Sequence, residues 1–155
     1  MHQLFLVRHA KAGERRLWKG SDLERPLSKK GWKQSELVGR RLAKHGATTL
    51  LSSEYVRCIQ TLEPLARRLG TEVTVDGRLT EDEPIGPVLD LLSDASPSTV
   101  LCSHGDIIPA TILELKKRGA KLVTPADWRK AGVWVLRRNK KGDIVQAKAW
   151  PPPVL

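Results

Sequence analysis

The sequence predicts an α/β protein, a three-layer α/β/α sandwich around a mostly parallel sheet with an antiparallel edge. Three observations lead there. Short apolar runs of strand length alternate with longer segments of helical period, the pattern of a sheet joined by crossover helices. Polar, chemistry-bearing residues stand at the downstream ends of three such runs: Arg8-His9, Ser53 to Arg57, and His104-Gly105-Asp106. Two late strand-like runs are separated by little more than a turn, which supplies the antiparallel edge.

The first run, Gln3-Leu4-Phe5-Leu6-Val7, is too short for a helix and reads as a buried parallel strand that delivers Arg8 and His9 at its carboxyl end. A basic loop follows from Lys11 to Pro26. Ser28 is placed to cap a helix over 29–45, with Leu37, Val38 and Leu42 facing inward and Gly46 as its stop. Residues 48–52 read as the second strand. A helix over 55–69 follows, with Val56, Ile59, Leu62, Ala66 and Leu69 at helical spacing, Pro64 as a point of kinking or late start, and Gly70 as its end. Residues 72–75 form a short strand, Asp76-Gly77 a turn, 86–94 a weakly signalled helix and 98–102 a further buried strand. Asp106 is expected to cap a helix running to Lys117, with Pro109 in its first turn. The late strands fall at 131–138 and 144–150, joined through Asn139 to Asp143, and the run Pro151-Pro152-Pro153 is extended and outside any ladder.

The chain has 155 residues, a length that fits one domain over 1–155. No run approaches membrane-spanning length, and Met1–Val7 lacks the features of a secretory leader, so a cytoplasmic protein is expected. Cys58 and Cys102 have no metal-binding spacing and read as reduced structural thiols. Lys and Arg total 27 against 17 Asp and Glu, a formal charge of +10, which suggests an anionic partner. The basic pairs are scattered, which favours a general positive field over a nucleic-acid stripe, and no nucleic-acid-binding motif is present. Trp32, Trp134 and Trp150 are assigned to the core, and Trp128 to core packing ahead of a place at the pocket mouth; Trp18 either stacks on a base or packs under the basic loop.

Two histidines and two arginines emerging from separate strand ends suit phosphoryl transfer. Arginine grips phosphate with a planar fork of permanent charge. Histidine attacks phosphorus only when one ring nitrogen is neutral, a state that neighbouring cations favour. At these residues the sequence resembles a family. Leu6-Val7-Arg8-His9-Ala10 resembles the Arg-His hallmark of the histidine phosphatase (phosphoglycerate mutase-like) superfamily, with Ala10 where many members carry glycine. Ser53-Glu54-Tyr55-Val56-Arg57-Cys58-Ile59-Gln60-Thr61 resembles its S-x-x-x-R-x-x-Q-T motif, Arg78-Leu79-Thr80-Glu81 its acidic loop, and Ser103-His104-Gly105-Asp106 its second histidine motif. The resemblance implies that His9 is the nucleophile, that Arg8, Arg57 and His104 surround the phosphoryl oxygens, and that Glu81 passes the proton, although Asp82 and Glu83 adjoin it. It implies no metal and no cofactor, with Ser53 and Gly105 as further substrate contacts.

Only Pro84 to Leu92 separates the acidic loop from the next core segment, too little for a lid, so hydrolysis is expected over mutase chemistry. The short layout resembles the SixA-type phosphohistidine phosphatases, which makes a phosphorylated protein the first expected substrate. The segment from Gly13 to Leu27, with Arg15, Arg16, Lys19, Asp22 and Arg25-Pro26-Leu27, resembles Nudix-linked histidine phosphatase domains, which makes a nucleotide or other small phosphate ester the alternative. Arg15, Arg16 and Lys19 either hold a second phosphate or an acidic protein face, or are solvated loop cations. A non-catalytic phosphate-binding module is the remaining reading, opposed by the intact Arg8, His9, Arg57, Glu81 and His104.

Overall fold

The fold was described from a computed structural model covering residues 1–155. One seven-stranded sheet carries the molecule, in the order β3-β2-β4-β1-β6-β7-β5. Strand β1 (His2–Arg8) lies parallel to β4 (Thr99–Ser103); β4 is parallel to β2 (Thr49–Ser52), and β2 to β3 (Val73–Val75). On the other side β6 (Val133–Arg138) runs antiparallel to β1, and β7 (Ile144–Trp150) antiparallel to β6. A two-residue strand, β5 (Lys121–Leu122), closes that side parallel to β7. Two residues carry no readable alternation, so β5 leaves no mark in the hydrophobic pattern.

The period of two in β1 divides the core. Leu4 and Leu6 face one layer, built from α3 (Gly86–Asp94) and α4 (Ile107–Lys117). Phe5 and Val7 face the other, built from α1 (Lys29–Lys44) and α2 (Val56–Leu69). The connection after β1 therefore goes to one face and the connection after β4 to the opposite face. Because β1 and β4 are neighbours, their diverging carboxyl ends open a crevice, the place where open α/β sheets hold ligands.

Helix α1 starts as expected: Ser28 Oγ accepts the Gly31 N–H at 3.1 Å. Gly31 meets the Lys11 carbonyl so closely that a β-carbon there would lie 1.9 Å from its oxygen, so the close joint between α1 and the loop after β1 requires glycine. The inward stripe of α1 differs from expectation. Val38 and Leu42 are buried but Leu37 lies at the rim, and Ser35 and Gly39 take the inner positions. Small residues there let α2 approach, with Leu65 backbone atoms near 3.1 Å from where a Gly39 β-carbon would stand. Helix α2 runs unbroken through Pro64 and ends at Gly70 in the left-handed region, φ 66°.

Asp106 stands at the start of α4, but its carboxylate does not cap that helix. It accepts the Asp82 N–H at 2.8 Å instead and ties the acidic loop to the second histidine turn. Trp134 and Trp150 are buried, whereas Trp32 and Trp128 are half-buried against the two cores. Trp18 is 38% exposed, and its indole N–H donates to the Ser21 carbonyl within its own loop. Both cysteines are buried free thiols. No helix is long and apolar enough to cross a membrane.

Candidate active site

The carboxyl end of β1 is pinned from both sides. Arg8 N–H donates to Gly132 O and His9 N–H to Ser103 O, each at 3.1 Å. The next residue is held by α2: Ala10 N–H donates to Thr61 Oγ1 at 2.9 Å, and that hydroxyl donates to Arg57 O at 2.7 Å. Gln60 Oε1 accepts the Leu27 N–H at 2.8 Å and anchors the far end of the basic loop. Gln60 and Thr61 thus explain their spacing from Arg57 mechanically, because the same helix that presents the arginine fastens both ends of the loop beside His9.

His9 is 6% exposed, and its Nδ1 lies 2.8 Å from Ala10 O. A carbonyl can only accept, so Nδ1 carries the proton and Nε2 keeps a free lone pair. Burial, reinforced by the charges of Arg57, His104 and Arg8, lowers the imidazole pKa to about 3 against the opposing pull of the Ala10 carbonyl. The ring is therefore neutral at any ordinary working pH. This shift acts on stability too. Between about 6.5 and about 3 the unfolded chain binds a proton that the native chain refuses, so stability present at neutral pH drains as pH falls through that window. At pH 4.5 the loss from His9 alone is about 2 kcal/mol. Urea unfolding at pH 7 and pH 4.5 should show His9→Gln losing less stability on acidification than the parent by about that amount; equal losses would refute it.

His104 is buried, with its ring centroid 5.6 Å from that of His9. Its Nε2 faces Ser53 Oγ at 2.8 Å and Cys58 Sγ at 3.6 Å. Ser53 is fully buried and its hydroxyl meets no acceptor other than Nε2, so its proton goes there, which assigns the ring proton to Nδ1. The same hydroxyl is taken up by His104 and the Tyr55 N–H, so Ser53 supports His104 in place of the expected substrate contact.

Arg57, 1% exposed, spreads its fork over two carboxylates. Nη1 donates to Asp22 O at 3.0 Å, and Nη2 to Asp22 Oδ2 at 3.3 Å and Glu81 Oε1 at 3.2 Å. Glu81 Oε2 lies 3.8 Å from His104 Nδ1. Asp82 and Glu83 are exposed, so of the three adjacent acids Glu81 is the one the loop turns inward. Asp82 makes that turn at φ 66°, a conformation aspartate tolerates.

Arg8 Nη1 donates to Trp128 O at 2.7 Å. A β-carbon on Gly105 would stand 2.7 Å from the Arg8 guanidinium, so Gly105 serves by leaving room for that cation to lie flat. Gly105→Ala should consequently push aside a flexible side-chain end, leaving thermal stability within a few degrees while kcat/KM falls about 100-fold. Thermal unfolding alongside steady-state kinetics checks this, and a large stability loss with unchanged specific activity would contradict it.

Three buried donors in this cluster have no partner: Arg8 Nε, Arg57 Nε and His104 Nδ1. Buried donors are rarely left unsatisfied, and three on one crevice are what a bound tetrahedral anion would satisfy.

The sequence did not mark Asp22 and Arg25 as the keystone of the basic loop. Asp22 binds Arg57 and also accepts Arg25 Nε at 2.8 Å, while Arg25, 7% exposed, donates to Gly13 O at 2.6 Å. Tyr55 also went unmarked; its ring stands edge-on to His104 at 4.9 Å and beneath the Arg57 guanidinium at 4.7 Å. Of the three expected loop cations, Arg15 reaches the site indirectly, 3.6 Å from Asp22, and is 72% exposed. Arg16 pairs with Glu14 at 3.0 Å, and Lys19 is exposed with no ion pair.

Comparison with known proteins gives the same picture from outside. The profile of the Histidine phosphatase superfamily (branch 1) matches residues 4–83. An 8-oxo-(d)GTP phosphatase of Mycolicibacterium smegmatis is 34% identical over 97% of the chain, which spans 48% of that relative's length. Among solved structures, a putative phosphohistidine phosphatase SixA from Nakamurella multipartita shares the fold with a TM-score of 0.77, 24% identity, and coverage of 99% of this chain and 97% of that one. The protein histidine phosphatase SixA complexed with tungstate gives 0.73, 24%, and 92% of each chain. With more than half of its length matched by the family profile, the chain belongs to the histidine phosphatase superfamily.

Proposed function

We propose that the chain is a metal-independent phosphohydrolase that works through a phosphohistidine on His9, with nucleoside phosphates as its substrate class. Phosphohydrolase chemistry accompanies the family; the observation that supports the assignment of steps is the free Nε2 of a neutral His9 in a cluster that also holds three buried nitrogens without a partner. The Nε2 lone pair attacks phosphorus. The P–O bond to the leaving group breaks, and the leaving oxygen takes a proton from Glu81. Arg8, Arg57 and His104 hold the equatorial oxygens, and Ala10 O steadies the Nδ1–H of the phosphoimidazolium. Water then gives its proton to Glu81 and attacks phosphorus, and the P–N bond electrons return to Nε2.

The relative named an 8-oxo-(d)GTP phosphatase, similar along nearly the whole chain, supports a nucleotide substrate. The second reading is a protein phosphohistidine, supported by the fold shared with SixA.

Glu81→Gln separates the two chemical steps. With p-nitrophenyl phosphate the leaving group departs without a proton, so the first step survives and the second slows about 100-fold or more. A burst of about one p-nitrophenol per active site and an acid-labile, base-stable phosphoenzyme on His9 are expected in EDTA. A phosphoenzyme on another residue, or a requirement for added metal, would overturn the assignment.

A further inference from the structure

Beside Arg8, reaching from Lys11 at the start of the basic loop to Arg129 and Lys130 ahead of β6, lies a groove of about 650 Å³. Its cations are Arg8, Lys11, Lys30, Arg129 and Lys130, and no acidic side chain lines it. Arg129 is paired with Asp127, whereas Lys11, Lys30 and Lys130 make no ion pair. Resting on the nucleotide reading above, we propose that this groove binds the phosphate groups of a nucleoside di- or triphosphate beyond the one transferred, with Lys11 and Lys130 as their principal contacts.

Several features support that placement. Both lysines sit on segments already fastened to the reacting centre. Lys11 follows His9 by two residues, and its N–H is held by Gln34 Oε1 at 3.0 Å. Lys130 adjoins the turn whose Ala131 N–H donates to Arg8 O and His9 O, and the same segment gives Trp128 O to Arg8. A segment that fixes Arg8 therefore also carries the neighbouring cation. Partial burial, and then the charges of Arg8, Arg25, Lys11 and Arg57, lower the Lys130 pKa, which agrees with the cations gathered along the groove. The three unpaired lysines and Arg8 repel one another, and an anionic ligand turns that repulsion into binding. Three unpaired lysines beside Arg8 exceed what a single phosphoryl group already held by Arg8, Arg57 and His104 can use. The volume falls within the range of small-ligand pockets and suits a nucleotide. The expected loop cations Arg15, Arg16 and Lys19 do not line this groove, and Asp22 and Glu14 already compensate two of them.

The test uses His9→Ala as the parent, which blocks turnover, and compares guanosine triphosphate with inorganic phosphate by calorimetry. K11Q/K130Q in that background should weaken triphosphate binding about tenfold more than phosphate binding at low ionic strength, and added salt should shrink the gap. K116Q/K117Q on α4 makes the same change in net charge away from the groove and should leave the ratio of the two affinities unaltered. Equal weakening of both ligands, no weakening of either, or the same effect from the α4 pair would overturn the subsite. So would turnover of a phosphohistidine protein that falls in K11Q/K130Q while triphosphate binding does not, since that result assigns the lysines to a protein face. Failure of His9 to become phosphorylated would be seen separately in the trapping experiment and leaves this binding result readable.

Discussion

His9→Ala is expected to lower kcat/KM by at least ~10⁴-fold with phosphate esters and phosphoanhydrides alike, while the far-ultraviolet circular dichroism is retained. The size follows from the geometry. A phosphatase that merely bound phosphate and admitted water would keep much of its rate without the imidazole, because Arg8, Arg57 and His104 would still stabilise the charge. A phosphohistidine route loses its first bond-forming step instead. No neighbour can take over: the ring of His104 is 5.6 Å away and its Nε2 is engaged by Ser53 and Cys58. The comparison that gives the number its meaning is His9→Gln, which restores polar bulk but no lone pair of imidazole basicity and should be as inactive as alanine. A residual rate within about tenfold of the parent in either variant, from protein freshly purified free of contaminating phosphatase, would sink covalent catalysis.

Much of this site was legible in the chain because its parts stand at strand ends. Apolar runs ending in Arg8-His9, Ser53 and Ser103-His104 place those residues at one edge of a parallel sheet, whatever the packing turns out to be. What stayed hidden depends on three-dimensional closure. Ser53 reads as a ligand contact, yet its buried hydroxyl is taken up by His104 and the Tyr55 N–H, partners that only the folded chain brings to it. Gly105 reads the same way, and its role is the room it leaves for Arg8. Asp106 has the composition and place of a helix cap, but the Asp82 N–H claims its carboxylate from another loop. Asp22 looked like one polar residue among several in a basic loop, and only its three arginine neighbours reveal it as the loop's anchor. Helix α1 shows the same limit: a hydrophobic-stripe argument chose Leu37, while close packing against α2 selected Ser35 and Gly39.

Arg57→Lys is expected to cost about 10³-fold in kcat/KM, although the net charge is unchanged. Arg57 does three jobs with one planar group. Its buried Nε is one of the three nitrogens of the cluster that have no protein partner. Its Nη1 and Nη2 hold Asp22 and thereby the basic loop, and Nη2 also holds Glu81. An ammonium on a flexible stem can satisfy one of these directions but not all three, so the loop, the acid and the phosphoryl site would no longer share one reference point. Arg57→Ala should be worse in a second respect. It leaves Asp22 and Glu81 facing a crevice built for an anion, and their partial exposure to water limits the stability loss to about 2 kcal/mol. The two effects can be separated with tungstate or vanadate as competitive inhibitors and urea unfolding as the stability readout. If Arg57 only braced the loop, Lys would lose oxyanion affinity in proportion to stability, and Asp22→Asn would reproduce the whole defect. If it also holds the phosphoryl group, Asp22→Asn keeps most oxyanion affinity while Arg57→Lys loses it with the fold intact. The second pattern is the expected one, because Nε is buried in the cluster around His9 with no protein partner to lose.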